Sequence, residues 1–319
     1  MRPATLAEHL FDEQHHQRLA RAAEVHPVVL EDFSTPQAQA VLPQVQILLT
    51  GWGAPRLDRQ TLAAMPRLRA VVSAGGSTGV REEDARERGL TLSNARLANS
   101  RPVAEYAAAR ILLAGKHSRH AAALYADRRS FIDREAAFPE AGNYRRRVGI
   151  VGASTTGRLT IDLLRPTDLE LVVYDPWLTA ADAAALGVQQ VGLAELMASC
   201  DVVSVHAPES PATYHLIGAP ELAALPDGAT LINTARGSLV DTEALVAEVS
   251  TGRIDAVLDV TDPEPLPADH PLWELPNVLL TPHIAGSMGN ELRRLGETAV
   301  REVERLAAGE QERQLEVAR

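Results

Sequence analysis

Short apolar runs alternate with helix-like stretches from residue 148 onward. The apolar runs are "VGIV" (148–151), "LELVVYD" (169–175), "DVVSVH" (201–206), "ATLINT" (229–234), "IDAVLD" (254–259) and "NVLLT" (277–281). They are apolar throughout instead of alternating with polar residues, as expected for strands that are covered on both faces. The pattern therefore predicts an α/β fold, in which a parallel sheet carries helices on both faces.

A second, smaller series of the same kind lies upstream. Its apolar runs are "PVVL" (27–30), "QILLT" (46–50), "LRAVVSA" (68–74) and "LTLS" (90–93). Since one hydrophobic core rarely grows beyond about 250 residues, the 319-residue chain is expected to form two doubly wound parallel-sheet domains. We predict a smaller domain at 1–98, a larger domain at 99–285, and a C-terminal helix at 286–319 that returns to the first domain.

Two helices link these predicted domains. Ser100 could cap a helix that runs through "RPVAEYAAARILLAGK" (101–116), with Pro102 in its first turn. The last helix is predicted to begin near Ser287, because apolar residues then recur at three- and four-residue spacing. These residues are Met288, Leu292, Leu295, Ala299, Val303 and Leu306.

The composition narrows the class of protein. Hydrophobic residues make up 45% of the chain and charged residues 23%, which is ordinary for a globular protein with a buried core. The net charge of -11 disfavours a nucleic acid or an anionic membrane as a partner. Cys200 is the one cysteine, which excludes an intramolecular disulfide and a cysteine-based zinc site. No apolar run has the length of a signal peptide or membrane span, so we expect a cytoplasmic protein. We also expect no bound metal.

A glycine-containing turn follows the strand predicted at 148–151. It reads Gly152-x-Ser154-x-x-Gly157, and a helix that follows such a turn offers free backbone N–H groups to a pyrophosphate. Asp175 ends the next predicted strand, where a carboxylate would accept hydrogen bonds from ribose hydroxyls and repel a 2'-phosphate. The turn therefore favours NAD over NADP, although Asp175 could also be a turn residue before Pro176.

Serine at the middle position of this turn has two interpretations. The Cβ of Ser154 stands where the backbone should approach the phosphates most closely, so it could weaken cofactor binding. Its small hydroxyl could instead donate a hydrogen bond to a phosphate. Both interpretations stay open at this point.

Polar residues follow three of the predicted strands. Arg236, Glu264 and His283 each lie just beyond the carboxyl end of an apolar run, and ligands of open α/β sheets bind at that edge. Each residue taken singly could be structural: an arginine that caps a turn, a solvated glutamate, or a histidine satisfied by neighbouring groups. Together they could supply an anion-binding cation and a proton-transfer pair.

Four further segments follow in order along the chain: "SVHAP" (204–208), "INTARG" (232–237), "LDVTDPEPLPADHPLWELPNV" (258–278) and "TPHIAG" (281–286). Together with the glycine turn, these segments and their order resemble the D-isomer-specific 2-hydroxyacid dehydrogenase family over nearly the whole chain. The resemblance implies a Rossmann-type NAD-binding domain and a smaller flavodoxin-like substrate domain. It also implies a homodimer that interconverts small D-2-hydroxyacids and 2-keto acids.

The resemblance also assigns roles to residues of this chain. Arg236, Glu264 and His283 take the catalytic positions: Arg236 would hold the substrate carboxylate, His283 would transfer a proton, and Glu264 would orient His283. Asp259 would lie near the nicotinamide carboxamide, and "SAGGS" (73–77) would bind the carboxylate through Gly75, Gly76 and Ser77. The other residues expected at the cofactor are Val103, Gly152, Ser154, Thr155, Thr156, Gly157, Asp175, Pro176, His206, Ala207, Pro208, Thr213, Thr234, Ala235 and Gly286.

Four alternatives remain beside this interpretation, and two of them are oxidation of phosphite and an enzyme that has lost its cofactor through Ser154. Formate dehydrogenases share the fold, but their pattern has glutamine beside the histidine, so Glu264 disfavours them. A catalytically weak dinucleotide sensor or corepressor-like protein could also retain the fold. The presence of Arg236, Glu264 and His283 argues against it, because a pure binding protein needs no proton-transfer pair.

Overall fold

The computed structural model, which describes residue 1 and residues 3–310, contains two parallel β-sheets. The chain divides into two compact units: residues 1–100 with the C-terminal segment from residue 287, and residues 101–286. The predicted boundaries lie two residues and one residue from these. The part of the predicted C-terminal range beyond residue 310 lies outside the described residues.

The larger unit has a seven-stranded sheet whose strands all run parallel. The strands are β4 (Arg147–Val151), β5 (Glu170–Tyr174), β6 (Gln189–Gln190), β7 (Val202–Val205), β8 (Thr230–Asn233), β9 (Asp255–Leu258) and β10 (Val278–Leu280). Their order is β10-β9-β8-β7-β4-β5-β6. The chain leaves β4 toward β5 on one side and later returns to β7 on the other, so the sheet has a switch point beside β4, where α/β sheets bind ligands.

Apolar side chains explain these strands. All side chains of β7 and β8 are buried, as are those of the last four residues of β4, so both faces of the sheet centre are covered. The six strands predicted in this half of the sequence are confirmed. The two-residue strand β6 was not predicted, because "QQ" at a sheet edge has neither the length nor the hydrophobicity of a strand.

Helices flank the strands of the larger unit and connect them. They are α7 (Ser118–Arg128), α8 (Arg134–Ala137), α9 (Thr155–Leu164), α10 (Ala180–Leu186), α11 (Leu193–Ser199), α12 (Ala219–Ala224) and α13 (Thr242–Val249). Helix α6 (Arg96–Gly115) contains the first boundary between the units. Short 3-10 helices lie at Gly237–Leu239 and Pro271–Trp273.

The smaller unit has a three-stranded parallel sheet in the order β1-β2-β3. Its elements are α1 (Leu6–Leu10), α2 (Glu13–Ala22), α3 (Pro36–Val41), β1 (Ile47–Thr50), α4 (Arg59–Ala63), β2 (Ala70–Ser73), α5 (Glu82–Arg88), β3 (Thr91–Asn94) and α14 (Leu292–Ala307), with 3-10 turns at Leu42–Gln44 and Gly289–Glu291. The predicted α/β class with parallel sheets is therefore confirmed.

The strand predicted at "PVVL" (27–30) was wrong. Val28 and Val29 are 45% and 37% exposed, and no strand covers this segment. The amide of Val28 donates to the His26 ring instead of a neighbouring strand. A short apolar run without a sheet partner to bury it does not form a strand.

The starts of two helices also differ from the prediction. Helix α6 begins at Arg96, whose amide donates to the Asn94 side chain, so Ser100 and Pro102 lie inside the helix and Ser100 caps nothing. Helix α14 begins at Leu292 after the turn at Gly289–Glu291, and the predicted face member Met288 is 52% exposed. In both cases a local side-chain contact with the backbone moved the helix start.

Helix α14 packs closely against helix α1 at a single glycine. A Cβ added at Gly296 would lie 1.9 Å from the backbone oxygen of Leu10. Both residues are buried, and Leu10, Leu295 and Val300 form part of one apolar cluster. Gly296 therefore permits the contact between these helices.

We predict that Gly296→Ala destabilises the protein. Alanine in place of an interior helical glycine usually adds about 1 kcal/mol of stability, but the clash with the Leu10 carbonyl should cost about 1–3 kcal/mol instead. Urea unfolding followed by circular dichroism measures the change, with Arg294→Ala as the control on the same helix. A stabilised Gly296→Ala protein would show that the helices are not in this contact.

Candidate active site

Three polar loops lie side by side at the carboxyl edge of the larger sheet. Strands β8, β9 and β10 are neighbours and run parallel, so the loops that follow them leave from the same edge. Arg236 follows β8, Glu264 follows β9, and His283 follows β10. The topology thus brings the three predicted residues to one edge.

His283 and Glu264 are in direct contact. The Nδ1 atom of His283 lies 2.8 Å from Oε1 of Glu264, and the side chains are 49% and 44% exposed. Because a carboxylate only accepts hydrogen bonds, Nδ1 carries the proton of this bond and Nε2 faces away from Glu264. The pair can therefore exchange a proton with a ligand through Nε2.

The backbone at His283 has a left-handed conformation, with φ of 56°. This conformation costs a non-glycine residue about 1–3 kcal/mol and persists only where the surroundings fix it. The amide of His283 donates to the carbonyl oxygens of Asp259 and Thr281. Such strain is frequent where a side chain must be held in a functional position.

Asp259 fixes the loop that carries His283. Its side chain is 1% exposed, and its carboxylate accepts hydrogen bonds from the Thr281 hydroxyl at 2.6 Å and from the amides of Ile284 and Ala285, each at 2.8 Å. These donors replace the water that a buried carboxylate loses. Asp259 is therefore a positioning residue for His283, and its predicted place beside the nicotinamide carboxamide stays a prediction.

Arg236 is exposed and lies close to the same edge. Its side chain is 56% exposed, with Nε 3.9 Å from a carboxylate oxygen of Glu209. The loop before it is shaped by Asn233, whose side chain accepts from the amide of Ala235 and donates to the carbonyl of Arg236. The guanidinium therefore extends from a fixed backbone and keeps donors available for an anion.

A glycine joins the loop of Arg236 to the loop of Glu264. A Cβ added at Gly237 would lie 2.1 Å from both the carbonyl carbon and the oxygen of Thr261. Thr242 strengthens the contact, because its hydroxyl donates to the carbonyl oxygen of Asp262 at 2.7 Å. The close approach of the two backbones sets the spacing between Arg236 and Glu264.

Sequence reasoning missed some of these supporting residues. Tyr106 on α6 makes a 3.0 Å hydrogen bond with the hydroxyl of Thr281, which in turn donates to Asp259. Nothing in the helix-like stretch around Tyr106 signals this contact, because it joins residues 175 positions apart. A sequence signal exists near Thr242, because Asp241 before it is a typical helix N-cap residue and marks the start of α13.

The glycine turn after β4 is held by two close contacts. A Cβ at Gly152, whose φ is 100°, would lie 2.6 Å from the amide nitrogen of Ala207, and a Cβ at Gly157 would lie 2.1 Å from the oxygen of Gly152. Both positions therefore require glycine. The turn thus presses its backbone against the end of β7 and leads directly into α9.

Ser154 has a role that neither interpretation foresaw. Its hydroxyl donates to the carbonyl oxygen of His206 at 2.7 Å and accepts from the amide of Gly157 at 3.3 Å, so Ser154 is the N-cap of α9. The hydroxyl is therefore committed to the backbone on both sides of the turn. Ser154 ties the turn to the end of β7 and fixes the start of the helix.

The turn fits the pyrophosphate of a dinucleotide. Among the described residues, no acceptor faces the amides of Ser154, Thr155 and Thr156, and free amides at a helix N-terminus bind phosphates. Asp175 accepts from the amides of Ala153 and Trp177, so it is a turn residue, while further lone pairs on its two oxygens remain for ribose hydroxyls. The buried hydroxyl of Thr234 has no hydrogen-bond partner within the described residues, so it is available to bind a ligand.

His206 keeps its ring inside the protein. The side chain is buried, its Nε2 lies 2.9 Å from the Ser204 hydroxyl, and burial lowers the pKa of the ring to about 4. The imidazole is therefore neutral at neutral pH. Only the backbone of His206 reaches the glycine turn. A contact between this backbone and the cofactor stays a prediction.

The other residues predicted at the cofactor stay predictions. The hydroxyl of Thr213 donates to the carbonyl of Pro208, so it closes a local turn. The remaining ones occupy α6, α9, and the loops after β5, β7, β8 and β10: Val103, Thr155, Thr156, Pro176, Ala207, Pro208, Ala235 and Gly286. Apart from the free amides of Thr155 and Thr156, the hydrogen bonds of the described residues do not distinguish these positions as ligand contacts.

The predicted substrate loop lies after β2 in the smaller unit. The amide of Gly75 donates to the Ser73 hydroxyl at 3.1 Å, so this amide is not available for a carboxylate. Gly76 is exposed, and no acceptor within the described part of the chain faces the amides of Gly76 and Ser77. Of the three predicted residues, Gly76 and Ser77 thus keep a free donor.

Neither a metal cluster nor a membrane-spanning helix is found among the described residues. Within residue 1 and residues 3–310, no group of three or more histidine, cysteine, aspartate or glutamate side chains is arranged to hold a metal ion. Over the same residues, every helix is too short or too polar to cross a lipid bilayer.

Comparison with known proteins relates this geometry to a family. Residues 109–285 match the profile described as D-isomer specific 2-hydroxyacid dehydrogenase, NAD binding domain. The chain is 35% identical over 273 residues to D-3-phosphoglycerate dehydrogenase of Mycobacterium leprae. The matched region covers 85% of this chain and 51% of that protein. The chain thus spans about half the length of the curated relatives it matches.

Solved structures of the same fold cover nearly the whole chain. The TT0316 protein of Thermus thermophilus superposes with a TM-score of 0.73 at 30% identity, covering 93% of this chain and 94% of that one. A Granulicella formate dehydrogenase superposes with a TM-score of 0.68 at 27% identity, covering 87% and 74%. The larger unit is therefore an NAD-binding domain of Rossmann type.

We predict that Ser154→Ala weakens both the fold and NADH binding. Loss of the N-cap should lower the free energy of unfolding by about 1 kcal/mol. If the poorer orientation of the free amides costs a similar free energy of binding, the affinity for NADH falls about 5-fold. Urea unfolding and calorimetric titration measure the two effects.

Thr179→Ala is the matched control for this variant. Thr179 caps α10 through its hydroxyl in the same way, so this variant should lose similar stability and keep its NADH affinity. Unchanged NADH affinity in Ser154→Ala would instead show that the hydroxyl of Ser154 does not hold the free amides in position.

Proposed function

The chain belongs to the D-isomer specific 2-hydroxyacid dehydrogenase family, and from this we propose that it interconverts a small D-2-hydroxyacid and its 2-keto acid with NAD. The observation that carries the proposal is the 2.8 Å contact between His283 and Glu264 at the sheet edge that also carries Arg236. An anion-binding cation beside a histidine and carboxylate pair suits the reduction of a keto acid.

Each residue of the edge has a chemical task in this proposal. Arg236 binds the substrate carboxylate and polarises the keto oxygen through its fork of N–H donors. His283 donates a proton from Nε2 to the developing hydroxyl, and takes it back in the oxidative direction. Glu264 accepts a hydrogen bond from Nδ1–H of His283. This bond fixes the tautomer and favours the ring position in which Nε2 faces the substrate. When bound, NAD supplies or accepts the hydride.

NAD is the proposed partner in preference to NADP. Asp175 stands at the end of β5 with its carboxylate close to the glycine turn, because one of its oxygens accepts the amide of Ala153 at 2.7 Å. A carboxylate there accepts ribose hydroxyls and repels a 2'-phosphate. The binding of NADH should therefore exceed that of NADPH.

The identity of the acid rests on the relatives alone. Their names include D-3-phosphoglycerate dehydrogenase and formate dehydrogenase. Glu264 beside His283 favours a 2-hydroxyacid over formate, as the sequence resemblance implies. A homodimer and a cytoplasmic location remain predictions of that resemblance.

We predict that His283→Asn strongly lowers turnover and leaves NADH binding intact. Asparagine tolerates the left-handed backbone of this position, so the variant removes the proton donor and keeps the loop. Loss of a general acid should lower kcat about 100-fold to 10,000-fold. Initial rates are measured with NADH for glyoxylate and pyruvate, and with NAD for D-3-phosphoglycerate and formate. They identify the substrate in the wild type and measure the loss in the variant.

His215→Asn is the control for this experiment. His215 also has a left-handed backbone, with φ of 50°, and lies 3.5 Å from a carboxylate oxygen of Asp241, so the same change is made in a similar setting. Its kcat should equal that of the wild type. Equal kcat for His283→Asn and the wild type would contradict the assigned role. A wild type that binds NADH and turns over no acid of the set would favour a dinucleotide-binding protein.

A further inference from the structure

A small cavity lies near the amino-terminal ends of strands β8 and β9 of the larger sheet. Thr230 and Asp255 are the first residues of β8 and β9, and both line it, so the cavity is at the amino-terminal edge. Ala256, Val257 and Leu279 also line it, so the cavity continues from that edge along one face of the sheet. Neither Arg236, Glu264 nor His283 is among the described residues that line it. It is therefore separate from the candidate active site.

The cavity has room for a small ion. The volume open to the centres of water molecules is about 50 Å³, several times the roughly 10–15 Å³ that one water requires. Basic side chains from the end of α6 and the start of α7 contribute to its lining: Arg110, His117, Arg119 and His120. Asp255 is the one carboxylate among the lining residues within the described part of the chain.

Arg119 is a half-buried cation without a partner. No hydrogen bond or ion pair to Arg119 occurs among the described residues, and burial lowers the pKa of its guanidinium. The nearby Asp255 is already occupied, since both its oxygens lie within 2.9 Å of Nε2 of His120. The charge of Asp255 partly offsets the lost hydration of Arg119. A half-buried cation without a hydrogen-bond partner nevertheless favours the binding of an anion.

His117 shows the same lack of a partner in the same cavity. Its Nε2 atom is buried and has no hydrogen-bond partner within the described residues. Its backbone is left-handed, with φ of 47°, which is a costly conformation for histidine. His117 immediately precedes α7, so the first free amides of this helix lie beside the cavity as well.

We propose that this cavity binds one small oxyanion of the size of phosphate. The guanidinium of Arg119 supplies the charge, Nε2 of His117 supplies a hydrogen bond, and the start of α7 supplies backbone donors. His120 engages both oxygens of Asp255, which is the one carboxylate among the described residues that line the cavity. The ion would bind together with NADH, because none of the residues predicted at the cofactor lines this cavity.

Titration with inorganic phosphate tests the proposal. The protein is first saturated with NADH, so that the amides of the glycine turn are covered, and phosphate is then added by calorimetry in a zwitterionic buffer at constant ionic strength. The wild type should bind one phosphate. Arg119→Gln should weaken this binding at least 10-fold, and His117→Asn should weaken it several-fold while it retains the left-handed backbone.

Arg128→Gln is the matched control, because Arg128 is an exposed arginine at the other end of α7. It should bind phosphate as the wild type does, and all variants should keep wild-type NADH affinity. Absence of phosphate binding in the wild type would overturn the proposal. Equal binding by Arg119→Gln and the wild type, or equal weakening in Arg128→Gln, would also overturn it.

Discussion

The buried carboxylate of Asp259 is the interaction on which the candidate active site depends. A charge removed from water costs several kcal/mol unless donors replace the water, and here Thr281, Ile284 and Ala285 provide them. The loop after β10 and the end of β9 are thus stable only together. His283 lies inside this loop in a left-handed conformation, and its contact with Glu264 follows from where the loop is held.

The same arrangement recurs at the cofactor side of the sheet. Asp175 follows β5 and accepts the amide of Ala153 in the turn after the neighbouring strand β4. Asp259 follows β9 and accepts amides from the loop after the neighbouring strand β10. In each case a carboxylate at the end of one strand fixes the loop of its neighbour. Ser154 adds a third tie, from the glycine turn to the end of β7.

The strands of the larger sheet could be predicted because buried parallel strands are uniformly apolar, and three polar residues could be assigned to one edge because parallel strands end there. Contacts that join distant parts of the chain could not be predicted in this way. Asp259 has the same sequence signature whether it meets a cofactor or a backbone amide, and Ser154 gives no sign that its hydroxyl is used by His206. Helix starts were missed where a side chain such as Asn94 satisfies the first amide, and "PVVL" failed as a strand because no neighbour buries Val28 and Val29.

Amide hydrogen exchange at Ile284 and Ala285 tests the role of Asp259 most directly. The wild type should protect both amides. Asp259→Asn leaves one neutral acceptor oxygen in place of two charged ones, so both charge-assisted hydrogen bonds, each worth about 1.5–3 kcal/mol, are lost and at most one amide keeps a weaker neutral bond. Exchange at these two amides should then become about 10- to 100-fold faster, while the amides of β8 keep their protection. Unchanged exchange at Ile284 and Ala285 in Asp259→Asn would show that the carboxylate does not hold the loop of His283.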